Sequence, residues 1–295
     1  MPKLTLMRGL PASGKTTKAR ELVKASGSAA RINRDDLRAM LFNSSWSGKR
    51  EEIIIAAEKA LVAVLAKHNH NAIIDDTNLS TKHVDMWRNV AKETYGENSF
   101  VIESLLDVPR YECVRRDHAR QFDHDSKFVG RAVIDRMALA NDLIDWNNRP
   151  IILVDIDGTL ADGTHRQHYV TRPEGEKKDW DSYYEALSYD EPISFVMRWV
   201  RKLAEDHTIC LVSGRPDTYQ RETMNWLIKW AVPYDYLFMR SGGDHRPDTE
   251  VKAKILKHIP RDLLQFVIDD RPQVIRMWRE NGVKVYPVRG ACDEF

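Results

Sequence analysis

A strand-like segment, Lys3–Arg8, runs directly into Gly9-Leu10-Pro11-Ala12-Ser13-Gly14-Lys15-Thr16, which meets G-x-x-x-x-G-K-[ST] at every fixed position. That pattern constrains the fold because it works only between a strand and a helix. The loop's backbone N–H groups and the positive end of the following helix together cradle a polyphosphate. Both flanks are present, since Thr17–Ala25 reads as a helix closed by Gly27. Gly9, Ser13 and Gly14 shape the loop, and Lys15 sets a charge at the β/γ-phosphates. Thr16 offers a hydroxyl to Mg²⁺, and Thr17 opens the helix. A bare glycine-rich turn, the competing reading, explains neither flank.

The strand–helix alternation continues. Ile53–Lys67 predicts a helix with Ile54, Ala57, Leu61 and Leu65 on one stripe, and Ala72–Asp75 a strand. Ser80 caps a helix that carries Val84, Trp87 and Ala91 and stops at Gly96. Ser99–Leu106 is a strand, Pro109 opens a helical turn, and Arg131–Asp145 is a helix. The polar run Asn147-Asn148-Arg149-Pro150 then precedes a new apolar strand, which places a boundary between domains 1–148 and 149–295. Further strands fall near 151–155, 208–212, 235–239, 265–269 and 284–288. The prediction is α/β: two parallel sheets, each covered by helices. A length of 295 residues suits two such domains.

Composition narrows the setting. No run of about 18 apolar residues exists, so no membrane span is expected. The chain opens on a strand, which leaves no room for a signal peptide. Cys113, Cys210 and Cys292 are odd in number and lack metal or redox spacing, so reduced thiols and a cytoplasmic location are expected. Residues 1–148 carry 23 basic and 20 acidic side chains, a net +3, and the remainder a net −2. This is no generally basic nucleic-acid binder; a phosphate backbone would have to meet a local patch.

In the first half, Ile32-Asn33-Arg34-Asp35-Asp36-Leu37-Arg38 follows a short strand. A carboxylate there can orient an acceptor hydroxyl and take its proton, with Arg34 and Arg38 holding a second anion. A solvated pair capping a helix fits these residues equally. Asp75, Asp76 and Thr77 end a strand at the edge where α/β sheets bind ligands. Arg116 and Arg120 lie four apart, either as a lid over transferring phosphate or as surface charges.

In the second half, the apolar strand Ile151–Val154 opens into Asp155-Ile156-Asp157-Gly158-Thr159-Leu160. Asp155 can attack phosphorus, Asp157 can protonate the leaving oxygen and then deprotonate water, and Gly158 permits the turn. Ser213, with Gly214, ends a strand and can bond phosphoryl oxygens. Lys252, or Lys254 beside it, can neutralise the intermediate. Asp155, Asp157, Asp269 and Asp270 can hold Mg²⁺. This order resembles the haloacid-dehalogenase phosphatase superfamily. Arg215, Arg246 and Arg271 are candidate contacts to a nucleic-acid backbone or the scissile phosphate, or solvated arginines.

Taken in order, the P-loop, Ile32–Arg38, Asp76-Thr77-Asn78-Leu79, Asp107-Val108-Pro109, Asp155–Leu160, Val212–Arg215 and Ile268–Arg271 resemble the bifunctional polynucleotide 5′-kinase/3′-phosphatases of T-even bacteriophage type. The resemblance covers essentially the whole chain. It implies a P-loop kinase followed by a phosphatase, ATP as donor, Mg²⁺ in both domains, RNA or DNA ends as substrate, a ligase as functional partner, and self-association. It implies that Asp35 is the general base on the 5′-OH, that Arg38 holds the neighbouring 3′-phosphate, and that Thr77 lies in the acceptor site. Arg120, with Arg116, belongs by resemblance to the lid. The linker is shorter than the family's, and Ala161–Glu191 does not align with it. Trp87, Trp199, Trp226 and Trp278 are expected in cores, whereas Trp180, Tyr183 and Tyr184 are either core or a cap over the phosphatase site. His165 and His168 lack a third ligand, so no zinc site is expected. Two other readings compete: a metabolite kinase fused to a small-molecule phosphatase, and a non-catalytic nucleotide-binding scaffold.

Overall fold

A strand covered on both faces has no solvent side, so β1 (Leu4–Arg8) is buried from Leu4 to Met7 without alternation. The computed structural model describes residues 2–122, 128–171, 173 and 176–288, and Cys292 lies outside them. The chain divides into two compact units, 1–128 and 129–295.

In the first unit β1 is followed by α1 (Lys15–Ser26), β2 (Ala29–Ile32), α2 (Arg34–Phe42), α3 (Gly48–Lys67), β3 (Asn71–Ile74), α4 (Thr81–Tyr95), β4 (Phe100–Ser104) and α5 (Arg110–Ala119). The strands form one sheet in the order β2-β3-β1-β4, every neighbouring pair parallel. Leu4, Leu6, Ile74 and Trp87 meet in its core. The helix α3 differs from expectation. It starts five residues earlier than Ile53, and its buried positions are Ile54, Glu58 and Val62, while Leu61 is exposed. A carboxylate occupies the middle of that stripe because Glu58 pairs with Arg34 beneath the surface.

The second unit begins with α6 (Arg131–Ala140), ahead of the expected 148/149 boundary. Several side chains tie it there: Ala132 and Leu139 enter the two cores, Arg136 pairs with Asp217 at 2.7 Å, and Asp135, fully buried, accepts the backbone N–H of Leu237 at 2.8 Å. The helix thereby covers the edge of the sheet, where strand N–H groups otherwise lack partners. Then come β5 (Ile151–Val154), β6 (Ala161–Asp162), α7 (Trp180–Glu185), β7 (Glu191–Pro192), α8 (Ser194–Leu203), β8 (Thr208–Pro216), α9 (Gln220–Lys229), β9 (Tyr236–Arg240), α10 (Asp248–Leu256), β10 (Leu264–Asp269), α11 (Pro272–Glu280) and β11 (Val285–Pro287). The parallel sheet runs β11-β10-β5-β8-β9, and β6 pairs with β7 as a short antiparallel ribbon. Alternate residues of each strand feed opposite cores: Ile152, Val154, Ile209 and Leu211 on one face, Ile151, Leu153, Cys210 and Val212 on the other. Trp226 and Trp278 are buried in these cores as expected, and Trp199 is partly buried.

Because neighbouring strands are parallel, their carboxyl ends lie along one edge of each sheet. The residues that follow β1 and β3, and those that end β5, β8 and β10, are therefore the ones brought together. Among the described residues, no helix is long and apolar enough to cross a membrane.

Candidate active sites

In the first unit the loop between β1 and α1 takes its shape from Gly14, whose φ of 106° at the start of α1 belongs to glycine. Gly9 approaches its surroundings so closely that a Cβ would meet Ser13 Oγ at 2.7 Å. The backbone N–H of Gly9 is donated to the Thr77 carbonyl at 3.0 Å, which ties the loop to the end of β3. Lys15 is buried, and its ammonium is donated to the Leu10 carbonyl at 2.6 Å. Burial brings its pKa down to about 8, against the opposing pull of Asp75, Cys113 and Asp76. Thr16 is half-buried and Thr17 exposed at the head of α1. Arg116 donates to the Ser13 carbonyl at 3.0 Å. Arg116, Arg120, Gly14 and Thr17 line one cavity of about 550 Å³ beside the loop.

The structure also separates the paired carboxylates Asp35 and Asp36. The cap of α2 is neither of them: Asn33 Oδ1 accepts the Asp36 N–H. Asp36 pairs with Arg31, whereas Asp35 pairs with Arg38 at 2.5 Å and remains more than half exposed. Behind them α3 contributes two residues that the sequence did not single out. Glu51 binds Arg38 at 2.9 Å, and buried Glu58 binds Arg34 at 3.0 Å. Asp76 accepts the Arg34 backbone N–H at 3.0 Å. Burial, then the Asp76 carboxylate, pushes the Glu58 carboxyl up, and the Arg34 guanidinium opposes them.

In the second unit Asp155 follows β5, and Lys252 Nζ, on α10, lies 2.6 Å from its Oδ1 and 2.9 Å from Asp269 Oδ2. Lys252, rather than Lys254, is therefore the cation at this centre. Asp248, one turn earlier on α10, adds a third carboxylate at 3.5 Å. Burial opposes the charge on Lys252, but Asp155, Asp248 and Asp269 outweigh it and hold the ammonium well above its usual range. Asp155, Asp269 and Asp270 offer oxygens within 4.8 Å of one another. Burial and Asp269 push Asp270 up to about 7, against the opposing pull of Lys252 and Arg271. Three crowded carboxylate oxygens fit a hard divalent cation such as Mg²⁺. Gly158, with φ 82°, lets Asp270 approach: a Cβ there would lie 2.0 Å from its Oδ2.

Asp157 is not one of that trio. Its carboxylate is gripped by Arg215, at 2.7 Å, and by Arg166, at 2.5 Å. Burial alone would raise its pKa; the two guanidinium groups overcome this and hold the carboxyl well below the usual range. Both arginines are fully buried and also bind buried Asp190, which His165 meets at 3.0 Å. Ser213 is buried, and its Oγ accepts the Arg215 N–H at 3.2 Å. Gly214 leaves room for Asp248, which a Cβ would meet at 2.5 Å. Arg246 pairs with Asp244 and Arg271 lies 3.5 Å from Asp248; both reach the cavity above Asp155 while partly exposed. The aromatics Trp180, Tyr183 and Tyr184 line that same cavity, on its wall and outside both cores.

Arg166 and Asp190 escaped the sequence because they lie in Ala161–Glu191, which has neither regular periodicity nor a motif. Asp248 carried a usable signal, standing four residues before Lys252 on one helical face.

Comparison with known proteins finds a match for each half of the chain. Residues 149–291 match the model of the phosphatase domain of polynucleotide kinase PNKP, and residues 4–142 match that of an AAA domain. A protein of Autographa californica nuclear polyhedrosis virus, named as a bifunctional polynucleotide kinase/RNA ligase, is 29% identical over 321 residues. The match takes in 99% of this chain but 43% of the viral protein, so the chain spans less than half of that relative. Chains from two structures of the Pnkp1/Rnl/Hen1 complex are 27% and 30% identical. They cover 99% of this chain, and 97% and 98% of their own lengths, with TM-scores of 0.42 and 0.40. Taken in order, the two family matches give an AAA domain followed by a phosphatase domain of the polynucleotide kinase PNKP type.

Proposed function

We propose that this protein heals broken polynucleotide ends, phosphorylating 5′-OH termini with ATP and removing 3′-phosphates, in the manner of the T-even bacteriophage enzymes. The observation that carries this reading is a reactive carboxylate set against a basic side chain in each unit: Asp35 against Arg38, and Asp155 against Lys252.

In the kinase, Lys15 and the loop N–H groups hold the donor phosphates while Asp35 takes the proton of the 5′-OH as its oxygen attacks the γ-phosphorus; ADP leaves. Arg38 turns to a 3′-phosphate of the acceptor nucleotide, exchanging one anionic partner, Glu51, for another. Asp76 and Thr77 form the acceptor side, and Arg116 and Arg120 close over the transferring group.

In the phosphatase, Asp155 Oδ attacks phosphorus, the P–O bond to the sugar breaks, and the 3′-oxygen leaves with the proton of Asp157. Water then attacks the aspartyl-phosphate, giving its proton to Asp157 and releasing phosphate. Arg166 and Arg215 favour the ionised Asp157, the form that takes a proton from water. The charge of a bound phosphate beside it works against those arginines and favours the protonated form that the first step needs. Asp155, Asp269 and Asp270, and Thr16 in the kinase, would hold Mg²⁺, which would supply charge neutralisation at phosphoryl oxygens. The same site serves 2′,3′-cyclic phosphates in this reading, and the product ends suit ligation in RNA or DNA repair. A cytoplasmic setting, a ligase partner and self-association belong to the same proposal. The kinase/ligase name of the viral relative and the Pnkp1/Rnl/Hen1 complex support it.

The test is an oligonucleotide bearing 5′-OH and 3′-phosphate, incubated with ATP and Mg²⁺. Both ends should be converted. Lys15→Ala should abolish only the first conversion and Asp155→Asn only the second. Preference for plain nucleosides or small sugar phosphates would favour the metabolite-enzyme reading instead.

A further inference from the structure

The cavity over Asp155 is larger than a phosphate requires. Its volume is about 640 Å³, within the range of roughly 300–1,000 Å³ that encloses a drug-sized organic ligand. Its base holds Asp155, Asp157, Lys252 and Asp270, and one wall is aromatic.

That wall is a row of near-parallel rings. Trp180 stacks on Tyr184 one turn along α7, with centroids 5.9 Å apart and planes at 24°. Tyr184 in turn lies 5.0 Å from Tyr219, at 32°. The Tyr219 hydroxyl and Asp181 Oδ1 are 3.3 Å apart, which joins α7 to the turn before α9. A tryptophan placed for stability is buried, as Trp226 and Trp278 are at 1% and 0% exposure; Trp180 keeps 47% of its surface in solvent. Burial pushes the Tyr184 hydroxyl up to about 12, so it brings no negative charge to a site that receives phosphate.

The wall is also registered to the chemistry. Tyr183, between Trp180 and Tyr184, carries the Arg166 guanidinium over its ring at 4.1 Å. That is the guanidinium that grips Asp157. Lys178, whose ammonium is 5.8 Å from the Trp180 ring, and Arg246 place cations at the rim.

We infer that Trp180, Tyr184 and Tyr219 form a stacking platform for the base of the nucleotide whose 3′-phosphate is cleaved, so that the site selects nucleoside 3′-phosphates of any base over other phosphomonoesters. This deepens, and rests on, the 3′-phosphatase reading above. Every nucleobase has a π-face, so stacking recognises a nucleotide without reading its sequence. The rim cations lie where the next backbone phosphate of a polynucleotide can meet them.

The experiment compares two oligonucleotides that differ only at the last residue, one a normal 3′-phosphorylated nucleotide and one an abasic sugar 3′-phosphate. From the usual worth of one base–aromatic stack, kcat/KM should favour the normal end by roughly 5- to 100-fold. Trp180→Ala and Tyr219→Ala should bring that ratio close to one, chiefly through KM, while Tyr219→Phe should keep it. Kinase activity of the same preparations reports that the chain is folded. A wild-type ratio near one would overturn the inference. So would alanine variants that slow both substrates in equal proportion, because that is the signature of a structural role. An enzyme that hydrolyses small phosphomonoesters but no 3′-phosphorylated end would instead defeat the 3′-phosphatase reading, and the platform with it.

Discussion

Arg166 is the side chain whose removal tests the phosphatase site most severely. It has no exposed surface, forms a two-point contact with Asp190 at 2.7 Å through each nitrogen, and reaches Asp157 at 2.5 Å. Its pKa lies above the ordinary arginine value, because Asp157 and Asp190 outweigh the burial that opposes its charge. Arg166→Met leaves the carboxylates of Asp157 and Asp190 sharing one guanidinium, that of Arg215, with His165 beside Asp190. Breaking a buried pair by removing one partner costs about 3–5 kcal/mol. At roughly 2–4 °C per kcal/mol for a unit of this size, the melting transition of the phosphatase should fall by about 6–20 °C. Total stabilities are only about 5–15 kcal/mol, so the variant can approach unfolding and Arg166→Lys is the necessary companion. Lysine keeps the charge but cannot reproduce the planar fork, and a hydrogen bond to a charged group is worth about 1.5–3 kcal/mol. Scanning calorimetry should therefore place Arg166→Lys between wild type and Arg166→Met. Dephosphorylation of a 3′-phosphorylated oligonucleotide should fall in both, and 5′-phosphorylation should persist. Two variants that melt like the wild type and keep its phosphatase turnover would refute the reasoning, because the network would then contribute neither stability nor alignment.

Other outcomes follow from the same geometry. Lys15 has a folded pKa near 8, below its unfolded value of 10.5; the folded unit therefore gains stability as pH rises from about 8 to 10.5 and none below. Polyphosphate returns the proton, so calorimetric ATP titration near pH 8.5 should show proton uptake that varies with buffer ionisation heat, and Lys15→Met should abolish it. Asp35→Asn should lower kinase kcat by about 10²- to 10⁴-fold with little change in ATP affinity, as removal of a base requires; a collapse of ATP binding would place Asp35 on the donor side instead. Asp157 is held below its unfolded value of 3.8, so the stability it contributes is present above that value and is lost as pH falls towards the folded one. Arg215→Lys should soften this acid-side loss in a pH series of melting curves. Rising salt should weaken both activities on oligonucleotides, and only modestly, since few phosphates near an end are contacted.

What the sequence disclosed and what it hid divide along a physical line. Strand ends were legible because a parallel sheet collects them: the residues after β1, β3, β5 and β10 needed only the strands to be found. The P-loop follows β1, Asp155 follows β5, Asp269 ends β10, and Ser213 lies within β8. Buried charge was not legible, because a carboxylate or guanidinium inside the protein is identified only by its partner. Glu58 interrupts the apolar stripe of α3 and pairs with Arg34, so the expected stripe holds at Ile54 and Leu65 but fails at Leu61. Asp135, inside α6, is recognisable only from its hydrogen bond to β9. Arg166 and Asp190 lie 24 residues apart, in a stretch with little regular structure, and neither has a local pattern.

These hidden pairs share a consequence for mechanism. Asp35 and Asp155, the proposed base and nucleophile, sit at strand or helix ends with a single cation directly against each. Asp157, which exchanges protons in both halves of the proposed reaction, is held by two arginines that also bind Asp190. A group whose protonation must change needs its position fixed independently of its charge; otherwise it would move when neutralised. Asp190 supplies that independence, since it retains both arginines when Asp157 is protonated. Asp190→Asn should therefore impair turnover at Asp157 while leaving the Lys252–Asp155 contact intact. The check is whether the variant still forms a beryllium fluoride adduct on Asp155. An Asp190→Asn protein with unchanged turnover would show that Arg215 and Arg166 hold their places without it.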